Sequence, residues 1–343
     1  MQEIPLHGTR WLRIMAIYTA LTLVVLCTAP WFGPTRITPA RVYLECTGHE
    51  EASVQSTIFF HQRFPRVLLG LCVGAALGLA GAAFQALLRN PLATPYTLGV
   101  ASAGTLAASV SIIWPSLALS FGPFTTTHLF ALAGSICAAV FIYLLSRYTK
   151  SLSTNFIILA GVTVNLFCGS ALLFIRFLAD PHHLVAIDRW VMGGLITVGY
   201  WEIASVAVFL VAGGGIILYH SHAVNQLLFG YEIAGSRGIN TQQLFLQIMG
   251  GGVLLTTGAV AAAGPIGFVG LIVPHAVRLL SGPDQRIVFP ASALMAGVVL
   301  VLCDTVARTC VAPTEIPVGV ITACIGAPVF LVLLIRTYSR RKR

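Results

Sequence analysis

Between Arg63-Phe-Pro-Arg66 and Arg89-Asn-Pro-Leu-Ala-Thr-Pro95 lies an unbroken apolar run, Pro65 to Leu88, in which Gly70, Gly74 and Gly78 recur at every fourth position. The run is long enough to cross a hydrocarbon core of ~30 Å as a helix rising ~1.5 Å per residue. Spacing by four places the three glycines on one helix face. In lipid, where apolar side chains gain little from meeting each other, small residues let two backbones approach and drive helix packing. The run therefore predicts a membrane helix packed tightly against a partner, flanked at one end by a pair of arginines and at the other by a proline-punctuated turn.

The whole chain follows that pattern. Of its 343 residues 57% are apolar and 9% charged, against ~25% charged in a water-soluble domain. A net charge of +9 raises the question of nucleic acid, but the basic residues sit in short loops and at the termini, with no basic stripe, so no nucleic-acid partner is expected. Seven of the 8 cysteines, all but Cys46, lie in or beside apolar runs, and none forms a C-x-x-C pair. They read as small buried hydrophobes.

Apolar runs at about 11–31, 65–88, 96–113, 127–146, 155–178, 201–219, 242–262, 266–281, 288–307 and 316–335 predict an all-α polytopic protein with about ten spans in a single domain, 1–343. The first run is expected to be an uncleaved span, since it is long and lacks small-residue cleavage chemistry. Pro265 and Pro274 make the eighth short and irregular, and the small polar residues of 97–104 weaken the third. With both termini inside, thirteen of the 20 basic residues fall inside and seven outside, the sense required by the positive-inside rule. The outside seven, Arg36, Arg41, Arg63, Arg66, Arg176, Arg189 and Arg308, are a heavy load that needs a reason. Residues 32–62 form an outer loop. Residues 220–240 form the longest inner loop and read as two short helices broken at Gly230 and stopped at Gly238.

Catalytic signatures are missing: there is no G-x-x-x-x-G-K-[ST] phosphate loop, no H-E-x-x-H and no G-x-S-x-G. His182-His183 follow Asp180-Pro181 and read as a solvated turn rather than metal ligands, so no metal is expected. Intramembrane acids would mark an ion-coupled carrier. Asp304, however, can pair with Arg308 one helical turn on, and Glu315, between Pro313 and Pro317, suits a helix start.

Several segments, in order and spacing, carry a resemblance: Arg63-Phe-Pro-Arg66; Gln85 to Pro95; Gly267-Phe-Val-Gly-Leu-Ile-Val-Pro-His275-Ala-Val-Arg278; Asp304-Thr-Val-Ala-Arg308; Pro313-Thr-Glu-Ile-Pro-Val-Gly319; and Gly326-Ala-Pro-Val-Phe330. Over about residues 57–336 the chain resembles the FecCD-type permease subunits of ATP-binding-cassette (ABC) importers for ferric siderophores, haem and cobalamin, that is, type II importer permeases.

The resemblance implies ten spans per subunit and a two-fold dimer, with a second copy or a close paralogue, around a central path in a bacterial cytoplasmic membrane. It implies two ATPase subunits inside, which hold ATP-Mg, and a periplasmic or lipid-anchored substrate-binding protein outside. This chain itself would bind no cofactor and do no covalent chemistry. Carried over by motif, Arg63, Arg66 and Arg308 would face acids of the binding protein, which accounts for part of the outside arginine load. Glu232, Ala234, Arg237 and Gly238 would couple to the ATPase. Here Arg237 stands where the family pattern has leucine, a departure that leaves the packing of the second short helix open. Ferric siderophore is the first expectation for cargo, with haem and cobalamin next. An ion-gradient-driven secondary transporter is the alternative, and an integral membrane enzyme a further one.

Overall fold

The computed structural model describes residues 8–47, 53–114, 119–148, 154–312 and 314–341; Lys150, Pro313, Lys342 and Arg343, used in the charge and motif readings, lie outside these. In chain order the helices are α1 (Gly8–Thr28), α2 (Pro39–Cys46), α3 (Val54–Ile58), α4 (Phe64–Leu87), α5 (Val100–Ile113), α6 (Thr126–Tyr148), α7 (Thr154–Leu178) and α8 (Pro181–Val191). They continue as α9 (Trp201–Tyr219), α10 (Ser221–Leu227), α11 (Tyr231–Ser236), α12 (Thr241–Ala263), α13 (Val269–Ser281), α14 (Gln285–Thr309) and α15 (Val318–Arg341). A two-residue antiparallel ribbon, β1 (Ser120–Phe121) with β2 (Phe124–Thr125), caps the α5–α6 turn.

Among the described residues 7 segments are long and apolar enough to cross a membrane, and three shorter apolar helices, Val100–Ile113, Val269–Ser281 and Val318–Leu333, complete the set expected from the sequence. The outer segment 32–62 is more than a loop. It folds into α2 and α3, and a π-helical turn at Phe59–Arg63 runs on into α4, so that helix continues outward beyond its apolar part.

Two spans start later than their apolar runs, for local reasons. Before α5, Thr94 and Thr97 exchange side-chain-to-backbone bonds (Thr94 N–H to Thr97 Oγ1, 2.8 Å; Thr97 N–H to Thr94 Oγ1, 3.0 Å), which hold a turn instead of a helix. Gly99 then adopts φ 70° immediately ahead of α5. Before α13, Gly264 (φ 67°) and Phe268 (φ 66°) bracket a non-helical stretch. Irregular backbone at membrane depth is tolerated only where protein covers it. Here Gly194 N–H donates to the Ala263 carbonyl (2.8 Å) and Gly319 N–H to the Gly193 carbonyl (3.2 Å), so three breaks in the helices satisfy one another.

α4 is the axis of the bundle, packed by α9, α12, α13 and α14. The apolar windows of α4 and α12 are 78% buried, whereas those of α1 and α7 are 17% buried and face outward. The contact of α4 with α14 runs along the glycine face. A methyl on Gly70 would lie 2.9 Å from Val301 Cγ2, and one on Gly74 would lie 2.5 Å from the Ala296 carbonyl oxygen and 2.7 Å from Gly297 Cα. On Gly78 it would strike Ala296 Cβ. Gly297 returns the contact, 2.9 Å from the Leu71 carbonyl oxygen by the same measure. Only residues without side chains permit this approach.

Candidate functional site at the two ends of the bundle

At the end that the charge bias assigns to the outside, α4 and α14 bring together Arg63, Arg66, Asp304 and Arg308. Asp304 is 1% exposed, and both its oxygens are taken by Arg66: Nε at 3.0 and 3.1 Å and Nη2 at 2.9 Å. This is a side-on fork, the geometry in which guanidinium recognises carboxylate most strongly. Arg66 Nη1 reaches Glu315 Oε2 at 2.7 Å.

The pair expected within α14, Asp304 with Arg308, exists as a 3.6 Å ion contact, while the hydrogen bonds of Asp304 go to Arg66 instead. Arg308, 2% exposed, donates Nη2 to the Ala29 carbonyl (2.9 Å) and to Thr305 Oγ1 (3.2 Å). Arg63, 6% exposed, donates Nη1 to the Trp31 carbonyl (3.3 Å) and Nη2 to the Thr35 carbonyl. Both thus hold the turn that follows α1, where carbonyls left over at a helix end need donors.

At the opposite end the 220–240 segment forms α10 and α11, separated at Gly230 (φ 128°) and ended at Gly238 (φ 83°). Val224, Leu227 and Ala234 are fully buried under the pair, and Glu232 lies on its exposed side. Arg237, also exposed, turns back onto α10: it donates to Gln226 Oε1, and its guanidinium carbon lies 5.6 Å from the Phe229 ring centre. In place of a packing leucine, the chain therefore uses a polar tie between the two short helices.

This pair is fastened to the bundle at two points. Tyr231 Oη donates to the Leu87 carbonyl at the end of α4 (2.8 Å), and Arg89 sits 5.4 Å over the Tyr231 ring. Burial pushes the Tyr231 phenol up to about 12, with Arg89 pulling the other way, so the hydroxyl stays a donor. Arg89 adopts φ 48°, a conformation that favours glycine; there Asn90 N–H returns to the Gln85 carbonyl (3.1 Å) and closes the end of α4.

The second fastening is Asn225. Its Nδ2 donates to Asp284 Oδ1 (2.7 Å), and its Oδ1 accepts from Gln285 N–H (2.8 Å), at the start of α14. Burial raises the Asp284 carboxyl, but hydrogen bonds from Arg286 and Asn225 outweigh it and hold the group below its ordinary value. Beside these ties a cavity of about 230 Å³ opens among Gln85, Arg89, Asn90, Leu228, Arg278 and Gln285. Across it Arg278 donates to Gln85 Oε1, while Gln85 Nε2 donates to the Leu271 carbonyl (3.1 Å), linking α4 to α13.

His182 and His183 lie in the first turn of α8. Among the described residues no group of three His, Cys, Asp or Glu side chains could hold a metal. Sequence reasoning missed Glu315 as a partner of Arg66, and also missed Asn225, Tyr231 and Asp284. A signal existed for Glu315, because the expected topology puts its helix start and Arg66 at the same, outer membrane surface. For Asn225 and Tyr231 there was none, since neutral polar residues in a loop look solvated.

Membrane-length helices pack around one central helix, with an arginine–carboxylate cluster at one end and a fastened helical pair at the other, the architecture of a polytopic membrane protein. The chain belongs to the FecCD transport family, whose model matches residues 21–336. It is 36% identical over 288 residues to the hemin transport system permease protein HmuU of Yersinia pestis, covering 83% of this chain and 85% of the relative. It is 33% identical to the iron(3+)-hydroxamate import system permease protein FhuG of Bacillus subtilis (94% and 96% covered). It is 32% identical to the vitamin B12 import system permease protein BtuC of Salmonella typhi (96% of each). A solved inward-facing structure, described as a metal-chelate type ABC transporter, superposes with a TM-score of 0.82 at 27% identity over 94% of this chain and 99% of its own. The chain is thus a multi-pass permease subunit of the ABC importer class.

Proposed function

We propose that this permease carries a ferric siderophore across a bacterial cytoplasmic membrane, as a dimer with a second copy or a close paralogue. Two separate ATPase subunits that bind ATP-Mg drive it from inside, and a substrate-binding protein delivers cargo from outside. The permease binds no cofactor itself. Iron–hydroxamate, hemin and vitamin B12 appear in the names of its relatives, which supports a bulky metal chelate as cargo. In this reading 220–240 is the ATPase-coupling loop, with Glu232 on its exposed side, and Arg66 is the docking arginine nearest the external surface. Arg63 and Arg308 shape that surface from beneath.

One observation carries the mechanism: the two helices fastened to the α10–α11 pair, α4 at Leu87 and α14 at Asp284–Gln285, are the same two whose far ends hold Arg66 and Asp304. Movement of the coupling pair by the ATPase is therefore applied to helices that reach the docking surface, packed together along the glycine face. Alternating access follows as a rigid-body displacement.

The test is uptake in proteoliposomes holding the permease, its cognate ATPase and its cognate binding protein, with ferric hydroxamate, hemin and cobalamin supplied separately. Accumulation of ferric hydroxamate that requires ATP and the binding protein is the expected result. Uptake of hemin or cobalamin alone would reassign the cargo. Uptake that ignores ATP and follows a proton or sodium gradient would overturn the importer mechanism.

A further inference from the structure

The three outer arginines differ in what they leave free. Arg63 and Arg308 are buried and donate to carbonyls of residues 29–35 and, for Arg308, to Thr305. Arg66 turns Nε and Nη2 inward to Asp304, and its remaining edge, Nη1, faces Glu315, whose side chain is 41% exposed. An external carboxylate that seeks a guanidinium here meets an edge already occupied.

The backbone around Glu315 is pinned while its side chain is not. Ile316 N–H donates to the Ala307 carbonyl (3.1 Å), and Thr314 N–H to the Val311 carbonyl (3.0 Å). Glu315 can therefore leave Arg66 by rotating its side chain, with no refolding of the segment. Asp304, buried and held by the side-on fork, keeps Arg66 in place when it does. Three guanidinium groups against two carboxylates leave this end net positive even in the closed arrangement, which suits an acidic partner surface.

We infer that Glu315 competes with the acidic surface of the docking protein for Arg66: it holds the outward edge of that arginine, and docking exchanges it for a carboxylate of the partner. Asp304 is the fixed positioning residue and Glu315 the exchangeable one. This inference rests on the reading of Arg66 as a docking residue. It makes release of the binding protein easier after delivery, because an intramolecular acid is always at hand to retake the arginine.

The test measures binding of the purified, substrate-free cognate binding protein to the complete transporter in nanodiscs, at low and at physiological ionic strength. Exposed ion pairs are worth ~0.2–1 kcal/mol, so Glu315→Gln is expected to tighten binding by about 1.4- to five-fold, chiefly at low salt. Glu315→Ala, which removes the carboxylate differently, is expected to do the same. Arg66→Gln is expected to weaken binding, and Glu315→Gln added to it is expected to change nothing further. If Arg66→Gln weakens binding while both Glu315 variants leave it unchanged or weaken it, the competition is overturned and the docking role of Arg66 stands. If Arg66→Gln has no effect on binding, the docking reading fails, and the competitor role fails with it.

Discussion

The two ends of α4 and α14 are held by different chemistry. Where Arg66 meets Asp304, three guanidinium groups and two carboxylates are gathered on a largely desolvated surface. Where Leu87 and Gln285 meet the α10–α11 pair, the ties are a phenol, an asparagine amide and a cation over a ring. Buried ion pairs are costly to form and costlier to break by halves, so the Arg66–Asp304 pair at the first end is suited to staying fixed. Neutral hydrogen bonds contribute ~0.5–1.5 kcal/mol each net and the charge-assisted bond from Asn225 to Asp284 ~1.5–3 kcal/mol, so the second end holds firmly enough to transmit force yet is adjustable. A permease needs this asymmetry if one surface recognises a partner and the other is pushed.

The largest break in the comparison should come from Asp304→Ala. It strands Arg66 and Arg308 without their shared carboxylate and is expected to cost ~3–5 kcal/mol, seen as a large fall in thermal stability of the detergent-solubilised protein before any transport defect can be read. Gly74→Ala ranks next. Its methyl would press on the Ala296 carbonyl and the Gly297 backbone, neither of which is a flexible side-chain end. Overpacking of this kind costs ~1–3 kcal/mol, and separation of α4 from α14 should show as faster hydrogen exchange in both helices.

Tyr231→Phe sharpens the contrast from the other side. It removes the bond to Leu87 at a cost of ~0.5–1.5 kcal/mol, and the expected signature is ATP hydrolysis that persists while uptake per ATP falls. Equal losses of both would show that the hydroxyl only stabilises the fold.

The Asp284 tie supplies a pH test. Its carboxyl is held below the ordinary 3.8, so the stability it contributes is complete above that value and is lost as pH falls through the lower, folded-state value. The protection of α10 amides, taken relative to their intrinsic exchange rate at each pH, should therefore hold from neutral pH down to about pH 4 and fall only below it, and Asp284→Asn should abolish that dependence. The smallest effect belongs to Arg237→Leu. An exposed polar tie is worth well under ~1 kcal/mol, and a leucine there should leave stability within ~0.5 kcal/mol and uptake nearly unchanged.

What the sequence disclosed and what it hid divide along the same line. Runs of apolar residues located every span, because crossing a membrane demands length and composition that nothing else imitates. The break at Gly230 was legible because the local backbone conformation is written in the residue itself. The starts of α5 and α13 were not, because Thr94, Thr97 and Phe268 are unremarkable until their backbone angles and partners are known. The cluster was half legible: an arginine excess on the wrong side of the membrane announced that something was there. Which acid paired with which arginine depended on the rotation of α14 against α4, and spacing along one helix favoured Arg308 for Asp304 when the neighbouring helix offered the better fork. Asn225 and Tyr231 gave no advance sign, since their role arises only where three segments meet.

The close approach of α4 to α14 at Gly74, where backbone meets backbone, has a consequence for where the molecule can bend. Two rods meshed backbone to backbone cannot slide or roll without collision, so they serve as a single beam. Flexure must be taken up in joints that lack helical hydrogen bonds. The stretches after α8 and before α13 are joints of that kind, where Gly193 and Gly264 turn the chain through angles open mainly to glycine and the Gly194–Ala263 bond crosses from one to the other. A cysteine staple across that crossing should lock the transporter in one orientation, whereas a staple within the beam should leave it free to cycle.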